Sequence, residues 1–549
     1  MKKTIFFLLA WVAISAHAQY KSEVWSPDNG DGTYTNPVIN ADYSDPDVCV
    51  GPSGEDYYLT ASSFQCVPGL PILHSKDLVN WEIINYAIGN LYEGDSQLLE
   101  HFKTPRHGEG VWAPSIRYHA GQFYIYWGDP DFGVYVVKTV NGDPAGEWTK
   151  PKCIIHGSGY IDTTPLWDSD GRCYLVNGWA NSRSKFASVL TVREMSADGM
   201  RPIGQPVIVF DGNGTENRTC EGPKFYKRDG WYWILCPAGG VPTGFQLAMR
   251  SKSPYGPYEH KIVLAQGKTN INGPHQGAWV HTKYGEDWFL HFQDKEAYGR
   301  VVHLNPVDWS TGWPVMGKNG EPVARYQKPR SSSNLVINPV ESDEFNAPVM
   351  GKQWQWHANY DEKFGVPTAF GTFRIYTHKL SEDFKNFWEV PNLLLQKTPA
   401  DQFTATAKLR MTSKADNQMG GLIMMGHNYY ALVVKRVGKK FQLLMLTCAN
   451  ADKGTLQTES LIATLKPTEE DKIDYKPGIH KDIYLRLSVS DSKVKFAWSQ
   501  DGKKFKNCGD TYQMKEGKWI GAKFGFVAVE PAGKTDRGWV DADWIRITP

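Results

Sequence analysis

Three acidic residues stand in short motifs along the first half of the chain: Asp45 in Ser44-Asp45-Pro46-Asp47-Val48, Asp162 in Tyr160-Ile161-Asp162-Thr163-Thr164, and Glu221 in Cys220-Glu221-Gly222-Pro223. Cleaving a glycosidic bond takes one carboxylic acid to protonate the leaving oxygen and one carboxylate to activate water or attack the sugar. A third has a use as well, because like charges at short range raise a neighbour's pKa and keep an acid catalyst protonated near neutral pH. Any one of these acids, beside Pro, Gly or Thr, is by itself an ordinary turn-forming carboxylate. Their place in a repeat changes that reading.

The repeat is a polar-Gly turn followed by an aromatic β-run. It occurs five times, at Asp56-Tyr57-Tyr58-Leu59, Gln122 to Tyr126, Arg172 to Val176, Trp231 to Leu235 and Asp287 to His291, at spacings of 50 to 66 residues. That spacing fits a four-stranded sheet with its loops, and no long helical period intervenes, so a five-bladed β-propeller is expected. About 12 residues ahead of each run lies a shorter segment that should form the inner strand of the blade. The equivalent positions read Asp45, Trp112 or Ala113, Asp162, Glu221 and His275. Inner strands line a central funnel, so these residues should converge on the axis although they are far apart in sequence.

Bulk properties narrow the partners. Lys plus Arg (60) balance Asp plus Glu (59), which argues against nucleic acid or an anionic membrane surface and favours a neutral polar ligand. Aromatic content is 13% with 21 Trp, enough to fill β-cores and still offer faces on which sugar rings stack. The eight cysteines lack metal-type spacing; Cys49 with Cys66, or Cys220 with Cys236, are conceivable pairs in an oxidising compartment. Residues 1–18, with Lys2-Lys3, an apolar run and Ala16-His17-Ala18, read as a cleavable secretory signal without a lipid-anchor cysteine. No later stretch approaches the roughly 20 apolar residues of a membrane span. The expected location is the periplasm, with full secretion as the alternative.

Residues 19–335 thus form the expected propeller. A polar connector, Lys328 to Asn334, leads to a second unit at 341–549 whose alternating strands, such as Phe403 to Met411, Tyr429 to Val437 and Trp539 to Ile547, argue for a β-sandwich of jelly-roll type. It carries no matched acids, and no chemistry is assigned to it.

The order and context of the three acid motifs resemble family 43 glycoside hydrolases, the β-xylosidase and α-L-arabinofuranosidase group. Asn36-Pro37-Val38, His74 to Trp81, Trp112-Ala113-Pro114 and Gly299-Arg300 match as well. The resemblance implies Asp45 as general base, Glu221 as general acid and Asp162 as the group that orients Glu221 and raises its pKa. It implies inversion at the anomeric carbon, with about 6.5–9.5 Å between acid and base. It also implies an Arg300 that touches the sugar or the catalytic carboxylates, Phe64 and Trp112 as pocket walls, and His275 on the axis, where many relatives place a calcium ion or a water cluster. No metal is required for the chemistry. A sandwich like the second unit packs on the propeller in many such exo-enzymes and helps close the pocket.

The expected substrates are hemicellulose-derived oligosaccharides. The loop Ala61 to Pro71 looks most like the branch that removes arabinose from xylan or xyloglucan, with β-D-xylosidase or dual activity as the nearest alternative. A non-catalytic sugar-binding propeller is the alternative of another class. The oligomeric state is open.

Overall fold

The computed structural model describes residues 20–468, 478–533 and 536–549, so the signal segment inferred for residues 1–18 lies outside the described residues. The first unit is a five-bladed propeller of four-stranded antiparallel sheets, each built from consecutive strands running outward from the axis. Their inner strands are Asp47–Val50, Trp112–His119, Tyr160–Trp167, Lys224–Arg228 and His275–His281. The aromatic runs are the second strands: Tyr57–Thr60, Gln122–Asp129, Cys173–Trp179, Trp231–Ala238 and Asp287–Asp294. These are buried on both faces because blade stacks on blade, which is why they read as apolar runs and not as alternating strands. Outer strands revert to exposure, as at Val207–Asp211 and at the start of Glu259–Ala265.

The N-terminal segment straps the ring. Asn36 Nδ2 donates to the carbonyls of Leu304 and Val323 (2.8 and 2.7 Å), its Oδ1 accepts from Leu304 N, and Ile39 bridges Val302 in blade five. The Asn36-Pro37-Val38 motif therefore has a structural use on this strap.

The second unit is a sandwich of two sheets, antiparallel but for the short parallel pairing of His378–Lys379 with Val529 and Glu530. Its long central strand Phe403–Ser413 alternates buried and half-buried residues over most of its length, as one covered face requires. Strand Met419–Met425, absent from the sequence reading, is buried throughout. Its glycines serve packing: a Cβ on Gly420 would meet Val540 Cγ2 at 2.3 Å, and one on Gly421 would meet the Leu432 carbonyl at 2.1 Å.

The two units share one core. Val67, Leu70, Leu91, Tyr92 and Phe102 of the propeller belong to the same buried cluster as Trp354, Trp356, Phe364 and Phe524 of the sandwich. Backbone pairing crosses the boundary, with Val67 N donating to Trp356 O (3.2 Å) and Trp356 N donating to Val67 O (2.6 Å). Among the described residues no helix is long and apolar enough to cross a membrane.

Candidate active site

Every inner strand is kinked at the same level. Asp45, Ala113, Asp162, Gly222 and Gln276 all have positive φ, between 28° and 60°. Pairing with the second strand is irregular there in blades two, three and five, between Trp112 and Ser115, Ile161 and Thr164, and His275 and Gly277. Such a bulge re-aims side chains toward the axis. It also corrects the repeat register: Asp45, Ala113 and Asp162 occupy the left-handed position, whereas Glu221 and His275 come one residue before it. The extra residue of a bulge is invisible in spacing, so the sequence aligned all five as equivalents.

Asp45 is buried and held as a hydrogen-bond acceptor. Its Oδ2 accepts from Ser44 Oγ and Ser62 Oγ, each at 2.6 Å, and its Oδ1 lies 3.4 Å from Arg300 Nη1. Both hydroxyls are fixed as donors to it. Ser44 Oγ already accepts from Arg300 Nη1 (2.7 Å), and Ser62 Oγ from Ala113 N (2.7 Å). The sequence reading did not single out Ser62, although the signal was present in a Ser-Ser pair directly ahead of Phe64. Arg300 contacts a carboxylate of the acid set, one of the two options the resemblance left for it.

Across the funnel, Asp162 and Glu221 are adjacent. Gly222 N donates to Asp162 Oδ2 (2.7 Å), tying the residue after Glu221 to blade three. Burial, then the charge of Glu221, push Asp162 up to about 8, so this pair retains a proton at neutral pH. The Glu221 side chain is about one-third exposed at 35%, open to an arriving ligand, and its Oε1 faces His275 Nε2 at 3.3 Å. His275 itself is buried, with Nδ1 lacking any protein partner. Beside them, Cys220 and Cys236 place their Sγ atoms 3.2 Å apart as thiols, whereas Cys66 accepts from Lys523 Nζ at 3.2 Å.

Among the described residues no group of three or more His, Cys, Asp or Glu side chains is placed to hold a metal ion.

The walls come from both units. Phe64 is buried and meets Trp112 edge-on with centroids 6.2 Å apart. Trp112 in turn meets Trp519, a sandwich residue, also at 6.2 Å, and the Arg300 guanidinium lies 5.9 Å from the Trp519 ring. Trp519 is fixed by the close approach of its loop: a Cβ on Gly521 would meet Gly299 N and the Tyr298 carbonyl at 2.8 Å. Asp42 pins the contact, accepting from Arg300 N (2.9 Å) on one oxygen and Gly521 N (3.1 Å) on the other. Trp519 has φ of 63° and stays 45% exposed, a strained aromatic presented to the mouth. The sequence reading assigned no residue of the second unit to the site.

Comparison with known proteins agrees with this geometry. Residues 34–314 match the model described as glycosyl hydrolases family 43, and residues 342–548 match the beta xylosidase C-terminal concanavalin A-like domain. A putative beta-xylosidase of Xylanibacter ruminicola is 34% identical over 91% of this chain and 86% of its own length. A non-reducing end alpha-L-arabinofuranosidase of Bacteroides ovatus is 29% identical over 76% of this chain and 78% of its own. Among solved structures, Bacteroides ovatus Xyloglucan PUL GH43B superposes with a TM-score of 0.76 at 25% identity, covering 94% of this chain and 99% of that one.

Proposed function

Because the chain belongs to glycosyl hydrolase family 43, we propose that it is an inverting exo-glycosidase that releases one non-reducing terminal pentose, foremost α-L-arabinofuranose, from arabinoxylan- or xyloglucan-derived oligosaccharides. The observation that carries this reading is the opposition of two differently kept carboxyl sets. Asp45 is surrounded by hydrogen-bond donors from Ser44, Ser62 and Arg300, whereas the Asp162–Glu221 pair holds a proton.

In the reaction, Asp45 removes a proton from a water that attacks the anomeric carbon. Glu221 gives its proton to the departing glycosidic oxygen, the bond to that oxygen breaks, and the sugar leaves inverted. Asp162 acts through Glu221 as a positioning residue. Phe64, Trp112 and Trp519 enclose the terminal sugar, which supports removal of single residues from chain ends.

A β-D-xylosidase is the second reading, favoured by the similarity to the putative beta-xylosidase of Xylanibacter ruminicola. Hydrolysis of p-nitrophenyl α-L-arabinofuranoside beside p-nitrophenyl β-D-xylopyranoside ranks the two. A higher kcat/KM on the arabinofuranoside is expected. Preference for the xyloside overturns that choice, and hydrolysis of neither leaves a sugar-binding propeller.

Trp519→Ala tests the contribution of the sandwich. The exposed ring can be lost with little cost to the fold, and KM is expected to rise about tenfold with kcat nearly unchanged, the loss of one stacking face. Unchanged KM in steady-state kinetics would remove Trp519 from the pocket.

A further inference from the structure

Lys224 is a buried cation to which the mechanism gives no role. Lys224 opens the inner strand of blade four, three residues after Glu221, and its side chain is fully buried. Its Nζ donates to the carbonyl of Pro114 at 3.0 Å, in the kink of blade two. Blade three lies between those blades, its inner strand bonded to each: Ser115 Oγ donates to Thr163 O (2.7 Å) and Thr164 Oγ1 to Pro223 O (2.8 Å). The lysine therefore reaches across the funnel, and its ammonium lies close to the axis at the level of the kinks that carry Asp45 and Asp162.

Beneath it sits a second charged layer. Arg117 Nη1 donates to Asp47 Oδ2 (2.6 Å), and its guanidinium stacks 5.2 Å from the Tyr226 ring, whose hydroxyl accepts from Trp279 N. Several buried polar atoms of this region lack any protein partner: Asp47 Oδ1, Thr60 Oγ1, Arg117 Nη2, Thr163 Oγ1 and Gln276 Nε2. An ammonium has three donors, and Pro114 takes one.

The charged groups around Lys224 come from every side. Asp45 and Asp47 belong to blade one, Arg117 to blade two and Asp162 to blade three, while Glu221 stands on its own blade with His275 of blade five against it. Burial, with the like charge of Arg117, lowers the lysine pKa from its usual value, and Asp47, Asp162 and Asp45 oppose that by favouring the charged form. A buried cation is retained where buried anions need it. Asp45 has two neutral hydroxyls and a distant guanidinium contact; Asp162 has one backbone N–H.

We propose that Lys224 is a positioning residue whose axial ammonium sets the protonation state of the acid set, keeping Asp45 ionised as the base beside a pair that must hold a proton. This rests on the hydrolase reading above. Without the ammonium, ionising any carboxyl at the mouth becomes harder, so both limbs of the rate profile move to higher pH.

The test is the pH dependence of kcat/KM on the preferred aryl pentoside for the unaltered enzyme, Lys224→Met and the charge-keeping Lys224→Arg, with thermal unfolding of each. Lys224→Met is expected to move the acid limb up by about one pH unit, and Lys224→Arg to leave it in place. A folded Lys224→Met whose limbs do not move, whatever its Tm, overturns the proposal and leaves the hydrolase reading intact. Should Lys224→Met not fold, ¹⁵N NMR of lysine Nζ groups in the unaltered enzyme decides: an ammonium signal throughout the active pH range supports the role, and a neutral amine there overturns it. An unaltered enzyme that hydrolyses no pentoside removes the hydrolase reading and the proposal together.

Discussion

Glu221→Gln is expected to lower kcat on an arabino- or xylo-oligosaccharide by about a thousandfold and to cost far less on a dinitrophenyl pentoside. The sugar leaving group is a poor one and needs a proton as the bond breaks; a dinitrophenolate leaves without it. Gln keeps the shape of Glu221, so the difference between the two substrates reports the proton alone. The alkaline limb of the pH profile should vanish with it, since no group remains whose deprotonation stops the reaction. Equal losses on both substrates would remove Glu221 from the acid role, and a sugar-binding protein would retain its affinity with no turnover to lose.

Asp45→Asn should cost about 10⁴-fold, and on both substrates alike, because activating water is needed whatever leaves. The surroundings make the substitution severe. Ser44 and Ser62 are committed donors and Arg300 donates too, so an amide places its own N–H against at least one donor. Added azide should restore turnover by replacing the activated water, giving a β-arabinofuranosyl azide from an α-arabinofuranoside. NMR of the product anomer checks this; a retained configuration would exclude Asp45 as the base of an inverting reaction.

The blades and the acids were legible because each blade repeats the same physical solution. A second strand buried on both faces must be apolar, and a funnel-lining kink must bring polar residues to the axis. Legibility ended where position depends on contacts between distant segments. Trp519 is aimed at the mouth only because Gly521 packs against Tyr298 and Gly299, an approach that no periodicity announces. Lys224, heading the strand Lys224-Phe225-Tyr226-Lys227-Arg228, reads as one more polar strand residue; its burial follows from the funnel. The offset of Glu221 was hidden for a similar reason, since a positive φ at Gly222 re-aims the chain without altering composition. The strand Met419–Met425 was missed because what excludes a side chain at its two glycines is the opposite sheet and the neighbouring strand.

The shared core orders events during synthesis. All three acids and Arg300 leave the ribosome more than 200 residues before Trp519, and until the C-terminal sheets arrive the apolar surface of Val67, Leu70 and Leu91 has nothing to cover it. A nascent or prematurely ended chain thus holds every reacting group in a pocket that is open on one side, and exposes a sticky flank that quality control can grasp. The mouth of the pocket is therefore completed only when the sandwich folds onto the propeller.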